Sequence, residues 1–110
     1  MAFKSRGVQG QLAASATALL TADSNTVVQP TKLILYAEEA DTDIDIYIVR
    51  SGGSAGATTR FQRISSMALD ERVDIGFGGV SLYDGDAIHA ESATANRINY
   101  DLSYTERTGE

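Results

Sequence analysis

The sequence predicts an all-β fold, an antiparallel β-sandwich or barrel of seven or eight short strands. Three observations carry this. Apolar and polar residues alternate with period two in 44–50, 71–77 and 97–106, the mark of strands with one buried face. Clusters of Gly, Asp, Asn and Ser break the chain about every 8 to 12 residues, as turns between short strands do. No stretch sustains a helical period over a useful length, which argues against βαβ architectures.

Each element follows from its own residues. Residues 1–13, MAFKSRGVQGQLA, hold two glycines and no steady period, and predict an extended N-terminal arm. Residues 14–107 form the single β-sandwich domain, and 108–110 a flexible C-terminal tail. SATALLTA (15–22) reads as helix by its alanines and leucines, but the DSN turn and the strand-rich remainder favour a strand. In TVVQPTKLILYAEE (26–39), two runs flank Pro30, which has no amide hydrogen and marks a strand start, an edge or a bulge. Leu33, Leu35 and Ala37 share one face of the second run.

The clearest strand is IDIYIVR (44–50), with Ile44, Ile46 and Ile48 opposite Asp43, Asp45, Tyr47 and Val49. SGGSAGATT (51–59) is a flexible, uncharged loop, and RFQRISSMAL (60–69) enters the next strand. Val73, Ile75 and Phe77 alternate with polar positions before Gly78-Gly79, and Tyr83-Asp84-Gly85-Asp86 is a turn. AIHAESA (87–93) and RINYDLSYTE (97–106) are the last strands; Ile98, Tyr100, Leu102 and Tyr104 share the buried face of the second.

Composition narrows the function. The net charge is −6, which disfavours nucleic acid or an anionic membrane surface as partner. Lys4 and Arg6 are the charged residues of 1–22, and all fifteen acids lie from Asp23 onward. A short basic arm on an acidic body suits docking on an acidic neighbour, a copy of itself included. With no cysteine there is neither a disulfide framework nor a thiolate metal site. The opening residues lack a signal peptide's apolar segment, so the chain is expected to be made in the cytosol.

Chemical sites are weak candidates. The row DTDID (41–45) opens like a calcium loop, but its sixth position is Ile46 rather than the glycine such loops need. In a strand, alternate aspartates stand about 6.5 to 7 Å apart, too far to grip one ion together. The row is therefore read as the wet face of a strand, or as carboxylates facing Arg50, Arg60, Arg63 or Arg72 of a neighbouring subunit. His89, the lone histidine, is expected to be half-buried and structural. The glycines at 52, 53 and 56 lack a phosphate loop's G-K-[ST] ending, GFGG (76–79) is no dinucleotide fingerprint, and there is no G-x-S-x-G elbow. No catalytic residue, cofactor or metal site is assigned, and the chain is read as non-enzymatic.

Three stretches resemble small structural proteins of tailed bacteriophages: the arm SRGVQGQLAASATALLTA, the run TKLILYAEEADTDIDIYIVRSGGSAG, and VDIGFGGVSLYDGDAIHAESATANRINYDLSYTE with its L-x-x-G-D-x-I-x-A motif. Here that motif is Leu82, Gly85, Asp86, Ile88 and Ala90, and the resemblance spans about residues 5–106. It implies a jelly-roll sandwich in a virion structural protein assembled in the host cytoplasm. It implies, first, a decoration (cement) protein bound to the major capsid protein, self-associated and most simply as a trimer. A place in the tail, baseplate or fibre base is the alternative, with another virion protein as partner. The interface candidates are Phe3, Lys4, Arg6, Val8, Asp43, Asp45, Tyr47 and Arg50. A reading of another class is a carbohydrate-binding module using exposed tyrosines, with Tyr36, Tyr47 and Tyr83 as candidates.

Overall fold

A computed structural model describes residues 3–108. Eight strands follow in order: β1 (Lys4–Gln11), β2 (Thr17–Thr21), β3 (Thr26–Ala37), β4 (Asp41–Val49), β5 (Arg60–Met67), β6 (Arg72–Gly76), β7 (Ala87–Glu91) and β8 (Ile98–Thr108). They form two four-stranded antiparallel sheets, β1-β8-β3-β6 (sheet A) and β2-β7-β4-β5 (sheet B). Every connection except β4–β5 crosses from one sheet to the other. That order is a jelly roll, as the resemblance implied.

The alternating residues build the core between the sheets. Leu33, Leu35 and Ala37 of β3 and Ile98 and Leu102 of β8 meet Ile44 and Ile46 of β4 and Ile88 and Ala90 of β7, all 0% exposed. Full burial of one such leucine or isoleucine stabilises by about 1.5–3 kcal/mol relative to exposure. Tyr100 and Tyr104 pack against the same core. Leu12, Met67, Phe77 and Leu82 close its margins, and Phe61 stacks on Phe77 with ring centroids 5.3 Å apart.

Pro30 lies inside β3 at the register shift between Pro30 and Lys32 against β8. Pairing with β6 begins only at Lys32, so no neighbouring strand on that side needs the amide hydrogen that proline lacks.

The N-terminal segment is extended, as expected, but it does not stand apart from the sandwich. Lys4–Gln11 is paired residue for residue with β8, from Lys4↔Glu106 to Gln11↔Asn99. Its glycines obscured this, because an edge strand needs only main-chain bonds and an occasional inward side chain, here Val8. At the other end, Thr108 belongs to β8 rather than to a tail. Residues 1, 2, 109 and 110, which fall in the expected arm and tail, lie outside the described residues.

Candidate functional site

The three aspartates of β4 have three different environments. Asp41 is buried at 7% exposure, its Oδ1 accepting from the Thr42 amide (2.9 Å) and its Oδ2 from the Thr94 amide (2.9 Å). It ties the start of β4 to the turn before β8. Asp43 is exposed and takes φ +52°, a left-handed conformation that Asp tolerates better than most residues. That residue interrupts the regular alternation, so the row is not one flat wet face.

Asp45 overturns the wet-strand expectation. It lies on the outer face of sheet B at 4% exposure, covered by two arginines from the adjacent β5. Arg63 donates through Nε to Oδ1 at 2.7 Å and through Nη2 to Oδ2 at 3.0 Å. Arg60 Nε lies 3.1 Å from Oδ1. The expected arginine partner exists, but on the next strand of the same chain. Hydrogen bonds from Arg63 hold the Asp45 carboxyl below its ordinary pKa; burial opposes this, and the charges of Arg63 and Arg60 add to it. Arg63 in turn is held more firmly protonated by Asp45.

The network extends across the sheet. Tyr47, 4% exposed, donates its hydroxyl to Glu91 Oε1 of β7 at 2.6 Å. That bond, then burial, raises the tyrosine pKa. The Arg60 guanidinium lies 6.0 Å from the Tyr47 ring centroid, at the limit of a cation–π contact. His89 is half-buried opposite Tyr47, consistent with its expected structural place. Opposite charges on directly paired strands, such as Asp45↔Arg63, are a known stabilising pattern. The sequence could have yielded this pair had the register across the 51–59 loop been legible.

A second cluster explains the L-x-x-G-D-x-I-x-A motif. Asp86 Oδ1 accepts from the Ser51 amide (2.8 Å), and its Oδ2 from the Tyr83 amide (3.0 Å) and Arg50 Nη1 (3.0 Å). Arg50 also donates to the Ser81 carbonyl at 2.7 Å. Burial opposes ionisation of Asp86, but the Tyr83 and Ser51 amides and Arg50 outweigh it, so its pKa is lowered. Gly85 takes φ +84°, and a Cβ there would meet Ser51 Oγ at 2.7 Å. Leu82 is fully buried and exchanges both main-chain bonds with Val28, at 2.9 and 2.7 Å. The motif is a clasp joining the 50–51 corner, the 82–86 turn and β3.

The interface candidates therefore separate. Phe3, Lys4 and Arg6 are exposed. Arg107 lies over the Phe3 ring at 5.3 Å, and Arg6 pairs with Glu106 at 3.1 Å. Val8 packs against the chain's own core. Asp45 and Tyr47 are closed over within sheet B, and Arg50 is held by Asp86 though its side chain is 57% exposed. Of the tyrosines considered for sugar binding, Tyr83 is exposed at 56% and Tyr36 is half-buried on the outer face of sheet A. Among the described residues, no group of three His, Asp or Glu side chains is placed to hold a metal ion.

Fold and site together define an eight-stranded jelly roll whose charged clusters brace strands and corners. No protein-family model and no curated protein matches the chain. Among solved structures, a chain of the Bacillus endospore appendages, described as forming a novel family of disulfide-linked pili, is similar in fold. The TM-score is 0.58 at 15% identity, with 99% of this chain and 88% of that one covered.

Proposed function

We propose that this protein is a non-enzymatic structural subunit of a tailed-phage virion, acting as a decoration protein on the capsid surface. It works by contact: copies associate with one another, most simply as trimers, and tie neighbouring capsid units together. The observation that carries the reading is β1. It is an edge strand of eight residues, exposed at every position but Val8 and bearing Lys4 and Arg6 on a chain of net charge −6. An exposed edge of that length is a template for strand addition unless a partner or charge covers it, and its cations suit an acidic shell. The resemblance over 5–106 supports the virion setting. The fold shared with a pilus-forming chain supports self-association, although this chain, lacking cysteine, associates without disulfides. Specific contacts of this kind bury about 1,200–2,000 Å² in total.

The test is addition of the protein to undecorated capsids, followed by electron microscopy. Ordered density on the shell is the expected result, and its absence under saturating conditions rejects decoration. A second reading keeps the virion but moves the subunit to the tail, and is favoured by the filament-forming neighbour. Immunogold labelling of intact particles separates the two.

A further inference from the structure

We propose that the outer face of sheet A, where β1, β8 and β3 lie side by side, is a binding groove for a neutral saccharide. The inference is independent of where the subunit sits in a particle.

Strand register builds the groove. Leu33 and Leu35 point into the core, so Ile34 and Tyr36 face outward, half-buried. Pairing sets Gln9, Asp101 and Ile34 in one cross-strand row, and Gln11, Asn99 and Tyr36 in the next. Three strands about 4.8 Å apart and rows about 7 Å apart give a patch roughly 10 by 7 Å, the size of one or two pyranose rings. The groove over it has a volume of about 450 Å³, within the range of small-molecule sites.

Its chemistry is amphipathic in the manner of a sugar. Ile34 and Tyr36 offer an apolar strip for the C–H face of a ring, and three carboxamides and a carboxylate surround it. Those groups are already oriented. Gln11 Nε2 donates to Asn99 Oδ1 at 3.0 Å, and Asn99 Nδ2 to Glu38 Oε2 at 2.8 Å. Gln9 Nε2 reaches Asp101 Oδ2 at 3.4 Å, and the Tyr36 hydroxyl donates to Asp70 Oδ1 at 2.5 Å. Among the described residues, the side-chain carbonyls of Gln9 and Gln11 and Oδ1 of Asp101 accept no hydrogen bond, leaving acceptors for sugar hydroxyls. Charge selects the occupant. On the same face Arg72 and Lys32 are engaged by Asp74, so the acids Asp101, Glu38 and Asp70 at or beside the groove leave it net negative and disfavour anionic sugars, phosphates and nucleic acid, whereas a neutral polyol takes up carboxylate and amide together.

The experiment uses the full ¹⁵N-labelled chain titrated with maltose, cellobiose, lactose and chitobiose, and a screen of the same chain on an array of neutral glycans. The expected result is saturable binding that moves the side-chain amide signals of Gln9, Gln11 and Asn99. Gln11→Ala and Asn99→Ala lie on an exposed face and leave the amide spectrum folded; each weakens binding about tenfold, as loss of well-placed hydrogen bonds does. Glucuronate serves as the anionic control and does not bind. No saturable binding to any neutral glycan, or binding unchanged in both variants, overturns the proposal. Neither result bears on capsid binding, which the electron-microscopy test reads separately.

Discussion

Replacing Asp45 by asparagine keeps the shape of the side chain and removes its charge. The wild-type carboxylate accepts two bonds from Arg63 and contacts Arg60, at 2.7, 3.0 and 3.1 Å. A hydrogen bond to a charged group contributes about 1.5–3 kcal/mol, against about 0.5–1.5 for a neutral one. The variant weakens three such contacts and turns one oxygen into an NH₂ facing a guanidinium. Truncating a fully buried ion pair costs about 3–5 kcal/mol. Here water reaches the stranded partners, since the Arg60 and Arg63 side chains are 31% and 47% exposed. The discounted loss is about 2 kcal/mol, or a fall in Tm of about 8 °C at ~4 °C per kcal/mol. Urea unfolding at neutral pH measures it as a lower midpoint with an unchanged slope. The sign with pH also follows. Hydrogen bonds from Arg63 hold the folded Asp45 carboxyl below the ordinary carboxylate range, so its contribution is complete above the unfolded pKa and is lost as pH falls through the folded one. The gap between wild type and variant should be full above about pH 5 and close steadily below about pH 4. A loss under about 0.5 kcal/mol, the level of an exposed pair, or a gap that stays constant down to acid unfolding, would mean that Asp45 and its arginines do not brace β4 against β5.

Four further outcomes are expected. Leu82→Ala removes a fully buried side chain from the clasp and should destabilise by about 2–5 kcal/mol in chemical unfolding. Gly85→Ala combines a left-handed backbone with a 2.7 Å clash on Ser51 Oγ; it should cost at least about 1 kcal/mol, and Ser51→Gly in the same chain should recover the clash portion alone. Deleting residues 1–11 strips β8 of its whole β1 ladder, so size-exclusion chromatography should show aggregation or new association through the bared edge rather than the elution size of the intact chain. Calcium at millimolar concentration should move Tm by less than about 2 °C, because Asp41, Asp43 and Asp45 do not converge on one ion, and a larger rise would reveal binding to the folded state.

The strands were legible because a sandwich imposes period two on every buried face. Ile44 and Ile46, Leu33 and Leu35, and Ile98 and Leu102 each showed that period, and all are fully buried. The Gly85 turn was legible too, since Tyr83-Asp84-Gly85-Asp86 needs one residue at positive φ. β1 was not, because an edge strand held mainly by main-chain bonds leaves little side-chain signature. Of the outer groove, Tyr36 was already a sugar-binding candidate in the sequence, but the amides beside it were hidden for a related reason. Gln9 and Asn99 are 90 residues apart in the chain, and only the β1–β8 register brings their strands together.

Periodicity, turn chemistry and net charge are local or additive properties, so the amino-acid sequence was enough to tell the inward faces of the main strands, the turns, and a net acidity that disfavours nucleic acid as a partner. The tertiary structure alone decided the fate of the acidic row of β4. Alternation placed Asp45 on the face away from the core, and that was correct. Whether that face was wet depended on β5 returning beside β4 with Arg60 and Arg63 in register, a long-range pairing that no spacing within DTDIDIYIV encodes.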